Sequence, residues 1–302
     1  MRENLELYFP SEIKSLFQKF ISDDFFHDIQ EIRMRVNNPI IIKNQNQNFT
    51  FASNSLTKNI FSGIKITKKN INQTLELLTN YSPYAFQNQI QNGFITIPNG
   101  HRVGLAGEII MQDNKIKTIR NISSINFRIA HEIKDCAKDF IKYISNPPEN
   151  IIIIGPPGSG KTTFLRDLTR ILSRDYKISV VDERSEIGAC YLGVPQNDLG
   201  TQTDILDKCP KNLGMNMLLK TMSPEIIILD EISEPAEVNS IINIINSGVK
   251  IIFSLHAKNL DDIKNRDLTK NLLAKKLIDK YFFLNPDNKI QAIYNKNLEK
   301  IF

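Results

Sequence analysis

Four consecutive isoleucines, Ile151 to Ile154, run straight into Gly155-Pro156-Pro157-Gly158-Ser159-Gly160-Lys161-Thr162. An unbroken aliphatic run offers no side to solvent, so it reads as a strand buried on both faces. The turn behind it fits G-x-x-x-x-G-K-[ST], and the spacing predicts a helix after it. A triphosphate needs many N–H donors aimed inward at once, and only a glycine-rich turn wraps closely enough to supply them. The helix start adds the positive end of its dipole. Gly155 through Thr163 form the expected nucleotide-binding segment, with Lys161 reaching the β- and γ-phosphates. The Thr162 hydroxyl is the expected Mg²⁺ ligand, so a nucleoside triphosphate and Mg²⁺ are the implied cofactors.

Downstream the chain alternates strand and helix patterns. Strands are expected at Ile151–Ile154, Ile178–Val181, Ile226–Leu229 and Lys250–Ser254. Helices are expected near Thr162–Ser173, Asn212–Thr221, Pro235–Ser247 and Asp261–Lys276, and a closing hairpin at Tyr281–Leu284 and Lys289–Tyr294 turns through Asn285-Pro286-Asp287-Asn288. Apolar strands alternating with helices predict a mainly parallel sheet covered on both faces, its ligand edge at the C-terminal strand ends.

The first half reads differently. Ser11 to Asp28 has helical apolar spacing with Ser11 as N-cap, and Glu31–Val36 alternates as a half-buried strand does. Further strands are expected at Ile40–Lys43, Phe94–Ile97, His101–Ile110 and Ser124–Ala130, with a helix at Lys68–Leu78. Gly104 and Gly107 mark bends or close backbone approach. The fold class is therefore α/β: a smaller mixed α/β domain with antiparallel strands over residues 1–138, then a nucleotide-binding domain over 139–302. A helix at Phe140, Ile141 and Ile144 should lead into the second domain.

Two acidic strand ends carry the expected chemistry. Ile226–Leu229 ends in Asp230 and Glu231, where Asp230 suits the Mg²⁺ shell and Glu231 can orient or deprotonate water. Val180-Val181 ends in Asp182-Glu183-Arg184-Ser185-Glu186; Glu183 or Glu186 can hold that water and Arg184 can contact phosphate. His256, after the last apolar strand, can sense the γ-phosphate. Transition-state charge calls for an added arginine, from the same chain or a neighbouring subunit. Arg120, Arg128 and Arg102 are candidates.

Composition narrows the alternatives. The chain is 41% hydrophobic and 24% charged, ordinary for a globular protein, and no apolar run approaches the ~20 residues that span a bilayer. No secretory signal is expected, since Met1-Arg-Glu-Asn-Leu-Glu-Leu7 lacks a basic start leading into an apolar stretch. Cys136, Cys190 and Cys209 are too scattered for a disulfide framework or zinc site, and read as reduced thiols. The net charge of +5 is dispersed rather than clustered. The basic stretch Lys264 to Lys280 interleaves Asp267 and Asp279, so no nucleic-acid partner is expected.

The ordered set of motifs resembles the hexameric ATPases of type II and type IV secretion. It is more closely similar to the stage III sporulation protein AA family of endospore-forming bacteria. That resemblance rests on Glu31-Ile-Arg-Met-Arg35, Gly100-His-Arg-Val-Gly104, Ile122 to Ala130, Val181 to Glu186, Asp204 to Lys211, Met222 to Ile232 and Ser254-Leu-His-Ala257. It implies a RecA-like ATPase using ATP and Mg²⁺, assembled as a homo-oligomeric, hexameric ring. Such a ring would lie in the cytoplasm at the inner face of the mother-cell membrane. Its implied partners are other subunits of the sporulation channel, including an integral membrane protein, and hydrolysis would energise channel assembly or transport. The chain departs from secretion motors in having Ser233 where they carry arginine after the Glu-Ile pair, and Lys220 where they tend to arginine. It also lacks their four-cysteine insert. The rival readings are a nucleic-acid-stimulated motor, which would need a basic or aromatic channel, and an ATP-binding scaffold with little turnover. Glu231 and Glu183 argue against the scaffold.

Overall fold

Backbone pairing sorts the strands into two separate sheets. The computed structural model describes residues 5–285 and 289–302, so most of the turn expected at Asn285–Asn288 lies outside the described residues. The chain forms two compact units, Met1–His131 and Glu132–Phe302. The division falls ahead of the boundary expected after residue 138. Residues there are held by the second unit: Lys134 pairs with Asp198, and the Ala137 N–H donates to buried Asp167.

The first unit contains α1 (Ser11–Phe20), α2 (Asp23–His27), β1 (Ile29–Arg35), β2 (Ile41–Asn44), β3 (Gln47–Ala52), β4 (Ser55–Thr57), α3 (Lys68–Leu78) and α4 (Gln87–Gln91). It is completed by β5 (Phe94–Ile97), β6 (His101–Gln112) and β7 (Lys115–Arg128). The strands lie in the order β4-β3-β2-β1-β7-β6-β5, and every pairing among them is antiparallel. Ile32, Met34, Ile42, Val103, Ile125 and Phe127 supply the buried face, packed with Ile13 and Phe17 of α1 and Ile71 and Leu78 of α3. Glu31, Arg33, Lys43, Asn126 and Arg128 alternate with them and line a polar groove of about 490 Å³.

The single helix expected over Ser11–Asp28 is two. Ile21 is extended, and the Ser22 hydroxyl accepts the Phe25 N–H to start α2, as Ser-Asp-Asp should at an N-cap. Pro10, not Ser11, occupies the cap of α1. Gly107 is a close-approach site: a Cβ there would lie 2.6 Å from the Arg120 carbonyl oxygen, while one at Gly104 would meet only ordinary contacts.

The second unit opens with a 3₁₀ turn over Lys138–Tyr143, where an α-helix was expected. There follow β8 (Ile151–Gly155), α5 (Lys161–Leu172), β9 (Ile178–Asp182), β10 (Thr203–Asp207), α6 (Lys211–Thr221), β11 (Ile226–Glu231), α7 (Pro235–Asn246) and β12 (Lys250–His256). Helices α8 (Leu260–Asn265) and α9 (Asp267–Ala274) precede β13 (Lys280–Leu284) and β14 (Ile290–Asn295). The sheet order is β10-β9-β11-β12-β8-β13-β14; all neighbours are parallel except β13 and β14. Strand alternation divides the core: Ile152 and Ile154 pack with α6 and α7 residues, Ile151 and Ile153 with Phe164, Leu165 and Leu168 of α5. The helix expected at Asp261–Lys276 breaks at Arg266, whose backbone is extended and whose guanidinium donates to the His256 carbonyl at 2.6 Å. Among the described residues no helix is long and apolar enough to cross a membrane.

His101 is a structural histidine. It is 1% exposed, and its Nδ1 accepts the Ala130 N–H at 3.0 Å. Burial, reinforced by the His131 charge, pushes its pKa down to about 4. The unfolded chain therefore takes up a proton below about pH 6.5 that the folded unit refuses until about pH 4. Stability should fall across that window by about 3 kcal/mol. Urea unfolding at pH 7 and pH 4.5 should show a smaller acid loss in His101→Gln than in wild type; equal losses would remove His101 as the cause.

Candidate functional site

The parallel register brings the loop, both acidic strand ends and His256 to one sheet edge. Gly155 of β8 pairs with His256 of β12, and Ser254 of β12 pairs with Glu231 of β11. Gly158 and Gly160 both have left-handed backbone (φ 77° and 75°), which lets the loop turn back before α5 begins. Lys161, 6% exposed, donates to the carbonyls of Gly155 and Pro156 (both 2.9 Å) and to His256 Nδ1 (2.8 Å). The other ring nitrogen, Nε2–H, donates to Glu231 Oε2 at 2.6 Å. Lys161, His256 and Glu231 thus form one chain of contacts across three strand ends. Burial lowers the Lys161 pKa, and the Glu231 charge opposes that.

Asp230 takes no part in this chain of contacts. Leu229 pairs with Phe253 but Glu231 with Ser254, so β11 carries a bulge that re-aims its last residues. Asp230 is 3% exposed, and neither carboxylate oxygen accepts a hydrogen bond. Lys211 Nζ stands 3.5 Å away, a charge contact too long and poorly aimed to satisfy either oxygen. Burial pushes the Asp230 pKa up to about 6; Lys211 pulls it down, Asp182 and Glu186 push it further up, and Arg184 lowers it.

Asp182 is equally buried but differently placed. Its carboxylate accepts the N–H groups of Glu186 (2.8 Å), Ile187 (2.9 Å) and Gly188 (2.8 Å). These bonds fold residues 183–188 into a tight turn that returns over α5. There Arg166 donates to the Glu186 and Ile187 carbonyls. Glu183 points the other way, accepting from Lys211 at 2.5 Å. Sequence reasoning did not single out Lys211, Glu237 or Arg166 as site residues. Lys211 opens α6, and Gly214 one turn later has no room for a side chain: a Cβ would lie 2.5 Å from Val181. The helix therefore lies close on β9 and delivers its first residue to the strand ends.

The donor set suits Mg²⁺. Thr162, half-buried at the start of α5, and Asp230 with both oxygens unbonded are hard oxygen donors, and Mg²⁺ keeps most of its ligands as water or phosphate. Among the described residues no group of three or more His, Cys, Asp or Glu could hold a metal by itself. Arg120 and Arg128 belong to the first unit. Arg120 pairs with Glu108 at 3.0 Å on the protruding β6–β7 hairpin, and Arg128 lines the polar groove. The Arg102 guanidinium lies over the Phe94 ring at 5.2 Å. All three cysteines are free.

The sequence matches the family described as "Sporulation stage III, protein AA" over residues 2–301. The chain belongs to that family. It is 34% identical to stage III sporulation protein AA of Bacillus subtilis (strain 168) over 298 residues, covering 95% of this chain and 93% of that protein. Its structure is similar to the pilus retraction motor PilT with bound ADP (TM-score 0.58, 12% identity, covering 90% of this chain and 76% of that one). It is also similar to the Legionella pneumophila ATPase DotB (TM-score 0.53, 13% identity, covering 85% and 72%). At these identities the likeness is one of fold, and the fold is that of RecA-like P-loop NTPases. Ser233 and Lys220 lie at the positions where the resemblance to secretion motors leads one to expect arginine. The Ser233 N–H donates to Glu237 Oε2 at 2.6 Å, and Lys220 is exposed in the last turn of α6.

Asp182 should matter for stability before activity. Asp182→Asn sets an amide donor against N–H donors already in place, and should lower unfolding stability by about 2–3 kcal/mol. Chemical denaturation reads this directly. An unchanged midpoint would mean the turn does not depend on those three bonds.

Proposed function

We propose that this protein is a Mg²⁺-dependent ATP hydrolase that works as a ring of identical subunits at the cytoplasmic face of a sporulation channel. On this reading, hydrolysis energises assembly of the channel or transport through it. The observation that carries the proposal is the Lys161–His256–Glu231 chain beside a buried, unbonded Asp230. The family supports the sporulation setting, and the two similar structures are described as a motor and an ATPase.

In the proposed reaction the loop from Gly155 to Thr163 wraps the phosphates with backbone N–H groups, and Lys161 swings from its carbonyl partners to phosphate. Thr162 and Asp230 would hold Mg²⁺, which when bound neutralises charge on the β- and γ-phosphates. Glu231, its side chain 26% exposed, is open to water and orients the molecule that attacks the γ-phosphorus. The bond to the β–γ bridging oxygen then breaks, giving ADP and phosphate. His256, joined to both Lys161 and Glu231, reports the state of the loop to the residue holding the water. Arg120 and Arg128 are proposed as stabilisers of transition-state charge, supplied within or between subunits.

ATP hydrolysis by purified protein, followed across protein concentration, tests this. Turnover per subunit should rise with concentration and vanish in Lys161→Ala. Glu231→Gln should lower kcat by roughly 10² or more while nucleotide still binds. Intact binding with no turnover at any concentration, with channel proteins present, would replace the motor with a scaffold.

A further inference from the structure

Lys211 is 3% exposed, yet it is an ammonium held among Glu183 (2.5 Å), Glu237 (3.1 Å) and Asp230 (3.5 Å). Burying a lysine is unfavourable unless its charge is answered, and filling the same space needs only an apolar chain. Two of its surroundings are fixed independently. Glu237 is locked by accepting the Ser233 and Glu234 N–H groups at the start of α7 (2.6 and 3.0 Å). The backbone of α6 is locked against Val181 by Gly214. Glu183 is the loose member: its side chain is 39% exposed, and the structure ties its carboxylate to Lys211.

We propose that Lys211 is a positioning residue of the site, holding the Glu183 carboxylate beside Asp230 so that the pair presents its remaining oxygens to Mg²⁺ and the water around it. This rests on the ATPase reading above and assigns Glu183 its part in it. Glu183 has no fixed place of its own at the end of β9. The ammonium, anchored through Glu237 to a different helix, gives it one. Lys211 touches neither nucleotide nor reacting atoms in this scheme, and acts through Glu183 and Asp230.

The test uses the full-length protein freed of metal with EDTA and a fluorescent ADP (mant-ADP) as probe, with Mg²⁺ titrated back. In Lys211→Met, binding in EDTA should match wild type, while the Mg²⁺ needed for half of the metal-dependent binding should rise about tenfold. At saturating Mg²⁺, kcat should fall with little change in KM for ATP. Lys211→Arg should recover part of both effects, and Glu183→Gln should add nothing further in the Lys211→Met background. Should Lys211→Met not fold, Lys211→Met combined with Glu237→Gln removes one charge of each sign and reads the same quantities. A lower melting temperature with unshifted Mg²⁺ dependence and kcat would make Lys211 structural only. So would full additivity with Glu183→Gln. Wild type that fails to bind the probe with or without Mg²⁺ would overturn the nucleotide reading and this proposal together. Normal wild-type binding with an unshifted variant overturns this proposal alone.

Discussion

Parallel pairing of β8, β12, β11 and β9 gathers like charge at the sheet edge, where burial makes it hardest to keep. Two of these strands end in paired acids, Asp182-Glu183 and Asp230-Glu231, and adjacent registers bring both pairs to the same edge. Carboxylates left together in a low-dielectric setting repel and lose hydration. The chain answers with two buried lysines from different elements: Lys161 from the loop and Lys211 from α6. Much of the surrounding detail follows from placing those two ammonium groups. The left-handed glycines set the path to Lys161, and Gly214 lets α6 close on β9. The Glu237 contacts at the start of α7 fix the far side of Lys211.

Asp182 and Asp230 show how the same residue type takes two roles at the same depth. Both are almost wholly buried. Burial raises the Asp182 pKa, but three N–H donors offset part of that, so it organises a turn. Asp230 accepts no hydrogen bond, and burial moves its pKa to about 6. A buried carboxylate in that condition raises the free energy of the fold, and a binding partner that satisfies it recovers the loss. The distinction rests on backbone geometry, at Glu186 to Gly188 a few residues on for one and at the β11 bulge around Asp230 itself for the other.

That is also why the sequence showed some of the site and hid the rest. The aliphatic runs of β8, β9, β11 and β12 are unmistakable, because a strand buried on both faces must be apolar throughout. The residues just beyond them, Lys161, Asp230, Glu231 and His256, are therefore expected at one edge from the sequence, and the structure brings them there. Lys211 could not be found in this way. It opens a helix of weak amphipathic pattern and lies far in sequence from Asp230 and Glu237; a buried lysine looks like any surface lysine until its partners are known. The missing signal was Gly214, an interior helical glycine, which marks close packing. Strand β10 escaped for a similar reason. As the sheet's edge it is only half-buried, and Thr203-Asp-Ile-Leu-Asp207 carries too little apolar pattern to stand out. The broken helices at Ile21 and Arg266 were decided by a hydroxyl cap and a guanidinium–carbonyl bond, both tertiary or local details that periodicity does not register.

Lys161's contacts connect binding to the far end of the site. Its three donors go to two carbonyls and an imidazole, all neutral acceptors. A phosphate oxygen accepts a charge-assisted bond roughly twice as strong, so in the proposed reaction the exchange favours phosphate. Once the ammonium leaves, His256 Nδ1 loses its donor at 2.8 Å and retains only the distant Gly155 carbonyl at 3.4 Å. That carbonyl can pair with the ring only as an acceptor, which favours a proton on Nδ1. If that proton is the one formerly shared through Nε2, the Glu231 carboxylate is released to water. In the proposed reaction the imidazole then cannot hold both neighbours as before, and loop occupancy would reach Glu231 across β12 through the move of one lysine side chain.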